Sequence, residues 1–269
     1  MSLKIRLRAL LEEKFPAVFA ILLDAKSRLL PNRGEPELRL VPLLCHPDEL
    51  ALDVGANHGT YSGVMARHAG RLIAAEPNPH LADVLRRRLD PAIRAGKATV
   101  MEAALSDGEG SIRLFVPTGQ SGLASVETRP SEDAEGEYVT VARRRIDDLD
   151  LPRTGFVKID VEGHEASVVA GARALLERDR PNLLIEVEDR HHPGSLDAIR
   201  AMLGPLGYRG FFLLDGKMQP IERFDQHMHQ DRSALNEAGT HRLEGRIYVN
   251  NFVFSARDDV IRSLATAPG

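Results

Sequence analysis

Cysteine is almost missing from this chain: Cys45 stands alone among 269 residues. An intramolecular disulfide and cysteine-rich zinc sites are thereby excluded, and a cytoplasmic setting is the expectation. A basic excess is missing as well. The formal charge of -4 gives no field that would gather nucleic acid, so none is expected as a partner. The runs Arg86-Arg87-Arg88 and Arg143-Arg144-Arg145 read as solvated faces. No uninterrupted apolar span approaches roughly 18 residues, and Leu3 to Leu11 is broken by Lys4, Arg6 and Arg8, so no membrane partner is expected either. Repeats and low-complexity segments are absent.

What is present suits one main domain, since a hydrophobic content of 43% can bury a full core at this length. Residues 3 to 30 carry Leu3, Leu7, Leu10, Leu11, Val18, Ile21 and Leu22 at roughly helical spacing, interrupted by Pro16. They predict two short amphipathic helices, so residues 1–48 read as an N-terminal helical cover whose apolar face offers a route to a homo-oligomer. Pro31 to Pro36 is a connector, and Leu38 to Leu44 is either extended or a short helix.

From Leu50 the pattern turns regular and defines the main domain, 49–269. Strand 50 to 54, helix 60 to 68, strand 71 to 76, helix 79 to 89 and strand 98 to 102 alternate, which argues for parallel strands joined by right-handed crossovers. Ser111 to Val116 and Glu137 to Ala142 alternate as two strands around a polar excursion, 117–136. Gly155 to Asp160 is a buried strand feeding a helix over 166 to 178. A strand over 181 to 188, a helix over 196 to 203, a strand over 208 to 214 and a final strand over 246 to 254 follow. A second inserted segment, 215–245, shows no strong period; its His227-Met228-His229 reads as an ordinary polar stretch.

The sheet is organised around Leu50 to Thr60, an apolar strand ending on Asp53 followed by Gly55-Ala56-Asn57-His58-Gly59. Glycines there let the backbone bend and approach a ligand closely. Twenty-three positions past Asp53, Glu76 ends the second strand, where an acidic side chain suits the two hydroxyls of a ribose. A third glycine is lacking. The turn is not the G-x-G-x-x-G of a dinucleotide site, nor does Lys-Ser or Lys-Thr follow as in a phosphate-cradling loop. A nucleoside cofactor without phosphate is the better inference.

The ordered series Asp53 to Gly59, Ala75-Glu-Pro-Asn-Pro79, Ala104-Leu-Ser-Asp107 and Phe156 to Glu165 resembles the FkbM family of S-adenosylmethionine-dependent methyltransferases. The resemblance covers roughly residues 50 to 188, with Asn250-Asn251-Phe252 similar to the family's closing strand. It implies an α/β class I methyltransferase fold, Rossmann-like: a three-layer sandwich on a seven-stranded, mostly parallel sheet with one antiparallel strand. It also implies O-methylation of a hydroxyl on a small acceptor such as a sugar or other natural-product scaffold, with S-adenosyl-L-methionine as cofactor. Carried over by position, Asp53, Gly55, Asn57 and Gly59 surround the methionine portion and the turn of the donor. Glu76 holds its ribose with Asn78 nearby, Glu102, Ala103 and Ser106 line the adenine side, and Asp160 adds a carboxylate facing a cationic donor.

Transfer to an alcohol calls for a base within hydrogen-bond reach. Asp160, Glu162, His164 and Glu165 fall where a core strand feeds its helix, at the carboxyl edge where ligands bind. His164 is the first candidate base, since its ordinary titration range suits proton uptake near neutrality. The competing reading is that His164 and Glu165 only cap the helix, with Lys158 pairing a buried carboxylate. His191, with Glu186 or Glu188, is the alternative base or orienter. A divalent metal held by Asp160, Glu186 and His191 is a further alternative, as are a nitrogen-directed enzyme and a catalytically silent donor-binding module.

Overall fold

The computed structural model describes residues 35–117, 136–236, 239 and 242–266. The helices expected over 3 to 30 and nearly all of the excursion 117–136 lie outside the described residues. The connector ends in a 3-10 turn, Pro36–Leu40, and a one-turn helix α1, Val41–Leu44, which decides for helix over extended chain. Strand β1 (Leu50–Val54), helix α2 (Thr60–His68), β2 (Arg71–Ala75), α3 (Pro79–Arg94) and β3 (Ala98–Met101) then alternate as the sequence predicts. Next come β4 (Ala104–Ser106), β5 (Gly110–Pro117), β6 (Gly136–Arg145), β7 (Thr154–Ile159), α4 (Glu165–Ala170) and α5 (Arg173–Asp179). The chain continues through β8 (Asn182–Glu186), α6 (Ser195–Leu203), β9 (Arg209–Leu214), β10 (Lys217–Pro220), α7 (Gln226–His229), β11 (Asn251–Ser255) and α8 (Asp258–Thr266).

Among the described residues one sheet has eight strands in the order β10-β9-β11-β8-β7-β1-β2-β3. Neighbours from β8 to β3 are parallel, whereas β11 runs antiparallel to both β8 and β9. The seven strands expected of this sheet are present with one strand added. β10 folds back antiparallel on β9 through Asp215 and Gly216, at φ 47 and 75. Two successive left-handed residues match the twist of a tight hairpin, for which Asp-Gly is a favoured pair. The sheet therefore carries two antiparallel strands, not one. β5 and β6, foreseen as a pair of strands, join β4 in a separate three-stranded sheet.

Alternation along the strands sends residues to two cores. Leu50, Leu52, Val54, Val157 and Ile159 meet Val168, Leu175, Ile199 and Leu203 of α4, α5 and α6. Ala51 and Phe156 face the other way, toward Leu44, Tyr61, Met65, Leu85 and Ile261 of α1, α2, α3 and α8. Helices on both faces of a mostly parallel sheet give the expected three layers.

Two helices depart from expectation. α3 continues past Pro91 to Arg94; the proline forfeits one ladder hydrogen bond, but Ala92 and Ile93 still pack on the core and carry the helix on. The single helix expected over 166 to 178 is split at Gly171, where an added Cβ would lie 1.9 Å from the Ser106 carbonyl oxygen. The close approach of chain to β4 breaks the helix there.

Candidate functional site

The β1 turn is held from two sides. The Gly55 and Ala56 amides both donate to the Ala75 carbonyl at 3.0 Å, tying the turn to the tip of β2. Gly55 has φ 76, and a Cβ on it would sit 1.8 Å from the Asp160 carbonyl oxygen. Only glycine supplies that conformation and that proximity, so the turn also lies directly against the end of β7.

Glu76 is the centre of this half of the site. Its two carboxylate oxygens accept from the Asn57 and Asn78 amides, each at 2.8 Å. Burial, opposed by those two amides, raises its pKa to about 7. Asn78 starts α3 by accepting from the His80 amide through Oδ1 at 3.1 Å, while its Nδ2 is buried without a hydrogen-bond partner among the described residues. An orphaned donor beside a buried carboxylate with spare lone pairs fits a ligand rich in hydroxyls and ring nitrogens, as a nucleoside is.

Below the turn, Asp53 is 2% exposed and accepts from Ser62 Oγ at 2.5 Å. Burial lifts its pKa to about 6, against the Ser62 hydrogen bond and the charge of Lys158. Lys158 is wholly buried, 3.5 Å from Asp160 Oδ2 and 5.0 Å from the centre of the Tyr61 ring. Desolvation pulls its pKa down, but Asp160, Glu186, Glu35 and Asp53 outweigh it and the ammonium is retained. The Tyr61 hydroxyl donates to Glu35 Oε2 at 2.6 Å, fastening the connector over this cluster.

The loop after β7 contains two successive left-handed residues, Glu162 at φ 52 and Gly163 at φ 101. Glu165 closes it: Oε1 accepts from the Gly163 amide at 2.9 Å and the Val161 amide at 3.3 Å, and burial raises its pKa to about 7. His164 is turned toward Ser106. Its Nε2 lies 2.8 Å from Ser106 Oγ, which also accepts from Arg143 Nε at 3.0 Å, and Arg143 in turn pairs with Asp107.

At the end of β8, Glu186 accepts from Asn250 Nδ2 at 2.6 Å. Glu188 pairs with Arg190 and accepts from the Tyr248 hydroxyl at 2.5 Å. His191 Nε2 lies 3.6 Å from Glu162 Oε2. Asp160, Glu186 and His191 thus each face a different partner, and among the described residues no group of three His, Cys, Asp or Glu could hold a metal ion. The alternative metal set is not assembled.

A family model described as the methyltransferase FkbM domain matches residues 53–210, more than half of the chain. The chain belongs to the FkbM methyltransferase family. Among curated relatives of this FkbM chain, the hexuronic acid methyltransferase AglP of Haloferax volcanii is 31% identical over 156 residues, covering 56% of this chain and 61% of AglP. The 2-O-methyltransferase NoeI of Sinorhizobium fredii is 30% identical over 161 residues, covering 53% of this chain and 65% of NoeI. The match spans less than two thirds of either relative. Among solved structures, the methyltransferase FkbM of Methylobacillus flagellatus aligns at a TM-score of 0.48 and 20% identity, over 78% of this chain and 44% of that one.

The FkbM match begins at Asp53 and ends in β9, so it takes in Gly55, Asn57, Gly59, Glu76, Asn78 and Asp160 and leaves out Glu35, Tyr248 and Asn250. Asn57 and Asn78 come together on the Glu76 carboxylate, while Gly55 is tied to the neighbouring Ala75 carbonyl. Ala103 and Ser106 are buried at the β3–β4 end, whereas Glu102 is half-exposed and pairs with Arg86 at 2.7 Å. The arginine runs are not simply solvated faces. Arg88 donates to the His58 carbonyl at 2.7 Å within the turn, and Arg143 holds Ser106. Register explains the second case: Arg143 pairs with Ala104 across β4 and β6, a long-range neighbour with no local signal. His229 is a packed side chain, stacked on Phe224 and accepting from the Asp225 amide at 2.9 Å.

Proposed function

We propose that this FkbM-family chain is an S-adenosylmethionine-dependent O-methyltransferase acting on a hydroxyl of a small acceptor of the sugar class. The observation that carries the donor assignment is the Glu76 carboxylate, fixed by the Asn57 and Asn78 amides beside the unsatisfied Asn78 Nδ2. Glu76 binds the ribose hydroxyls, Asn78 borders the nucleoside, and the carboxylates of Asp53 and Asp160 answer the positive charge of the amino-acid end. When bound, S-adenosylmethionine supplies a methyl group made electrophilic by its sulfonium. Ala103 and Ser106 border the adenine side, and Glu165 fixes the loop that carries Asp160.

The sugar class is supported by the two relatives, one named for a hexuronic acid and the other for 2-O-methylation. The acceptor sits on this reading beyond Asp160, toward Glu186, Glu188 and His191, where β11 enters the sheet. No helix among the described residues is long and apolar enough to cross a membrane.

Calorimetry with S-adenosylmethionine and S-adenosylhomocysteine tests the donor assignment, and folded protein that takes up neither sinks it. Glu76→Gln should weaken S-adenosylhomocysteine binding by about 1.5–3 kcal/mol, the worth of hydrogen bonds to a charged group. Unchanged affinity removes Glu76 from the site.

A further inference from the structure

Most of the polar side chains around the carboxyl ends of β7 and β8 are committed to other groups. His164 is turned to Ser106, Asp160 to Lys158, Glu165 to two backbone amides, Glu186 to Asn250, and Glu188 to Arg190 and Tyr248. Glu162 and His191 also face each other, at 3.6 Å, with 25% and 17% of their side chains exposed. His191 Nε2 is itself buried and has no hydrogen-bond partner among the described residues.

We propose that Glu162 and His191 act as one proton-accepting pair, and that the acceptor hydroxyl gives its proton to the Glu162 carboxylate as its oxygen takes the methyl group. The proposal rests on the donor reading above. In the balanced step the oxygen–methyl bond forms, the sulfur–methyl bond breaks, the proton ends on Glu162, and methyl ether and S-adenosylhomocysteine are the products.

Backbone geometry is the first support. A left-handed conformation at Glu162 strains a residue that carries a Cβ, and Gly163 keeps the same sense at φ 101. A Cβ on Gly163 would lie 3.1 Å from the Cβ of His191. The strained pair of residues is what brings the Glu162 carboxylate and the His191 ring together, and such strain gathers at working sites. Position is the second support. Asp160, two residues earlier, is the residue whose carbonyl fills the place of a Gly55 side chain, so the pair opens beside the donor turn.

The surrounding charges complete the case. Asp160 and Glu165 approach Glu162 from its own loop and Glu188 and Arg190 from the end of β8, with Glu186 further along that strand. Burial first, then the charges of Asp160, Glu188 and Glu165, raise the Glu162 pKa to about 8 against the pull of Arg190. Burial and Arg190 hold the His191 ring neutral by lowering its pKa. The His191 backbone is held by its amide, which donates to the Glu188 carbonyl at 3.0 Å.

Glu162→Gln and Glu162→Asn test the pair; asparagine tolerates the left-handed conformation, so the second variant keeps the fold. Calorimetry with S-adenosylhomocysteine should give both variants affinities within about twofold of the unaltered protein, because the pair lies on the acceptor side. Failure of the unaltered protein to bind is failure of the donor reading instead. Carbon-13 NMR of the His191 ring, with S-adenosylhomocysteine bound, should show an inflection near pH 8 that both variants lose. An unchanged His191 titration overturns the proposal. With S-adenosylmethionine and the methyl glycosides of glucose and glucuronic acid as probes, transfer should fall at least about 100-fold in both variants, as for loss of a general base, and its rise toward pH 8 should vanish. Equal transfer by Glu162→Asn overturns the proposal too; methylation of neither glycoside leaves the decision to the titration.

Discussion

Three glycines allow the cost of the close-packed turn to be divided between backbone and sterics. Gly96 has φ 69 and open space where a Cβ would go, so Gly96→Ala meets only the left-handed penalty, about 1–2 kcal/mol. Gly171 has an ordinary φ of -76, but its Cβ would meet the Ser106 carbonyl oxygen at 1.9 Å. Gly171→Ala meets only the clash, about 1–3 kcal/mol for overpacking against an unyielding group. Gly55→Ala meets both, with the Asp160 carbonyl oxygen at 1.8 Å. Its destabilisation should therefore exceed either single cost, with an upper bound of about 5 kcal/mol if the two add in full. All three substitutions also stiffen the unfolded chain, which offsets about 0.4–1 kcal/mol in each and cancels in comparison. Urea unfolding at constant m-value measures the series. If Gly55→Ala costs no more than Gly96→Ala, the contact between the β1 turn and the end of β7 is not tight, and the placement of Asp160 beside the donor fails with it.

Stability should fall as pH rises from about 5 to about 8 in the absence of donor. Burial holds the pKa of Glu37, Glu76 and Glu165 at about 7 and of Asp53 at about 6. Each is above its unfolded value, so the stability it contributes is full below that value and is lost as pH rises through the folded one. A flat melting profile over that range refutes the burial of these carboxyls. Glu49 works in the opposite sense: burial favours its neutral form, but hydrogen bonds from Arg257 and Arg153 overcome it and lower its pKa. Its stabilisation should be lost as pH falls below about 4. Glu49→Gln should cost about 2 kcal/mol at neutral pH, the value of charged hydrogen bonds at a largely covered carboxylate; a change under about 0.5 kcal/mol, by chemical unfolding, argues against the bridge.

The parts of this protein that were legible in its sequence are those in which local pattern and global fold agree. Leu50 to Val54 is an apolar run that stops at a glycine turn, and α2 begins at the residue expected, because no distant contact competes with the pattern. The place of Glu76 at the tip of β2 was readable for the same reason. The break at Gly171 was not, since its cause is the Ser106 carbonyl in another sheet. β10 had a local signal in Asp215-Gly216, but Lys217-Met218-Gln219-Pro220 is too short and polar to read as a strand. The surroundings of the histidines were the least legible of all: His164 and His191 are alike as residue types, and only the fold turns one toward Ser106 and the other toward Glu162.

β11 lies between β8 and β9 and is the hydrogen-bonding neighbour of both. During synthesis β8 and β9 are both complete well before their shared partner leaves the ribosome. Until then each offers an unpaired edge, with Leu183, Leu184, Phe211 and Phe212 on it, to any other chain nearby. Premature termination between residues 221 and 250 should therefore yield aggregate rather than a smaller enzyme. Asn250, which immediately precedes this last strand and donates to Glu186, reaches that carboxylate only when the sheet closes, so formation of this contact and burial of the exposed edges are one event.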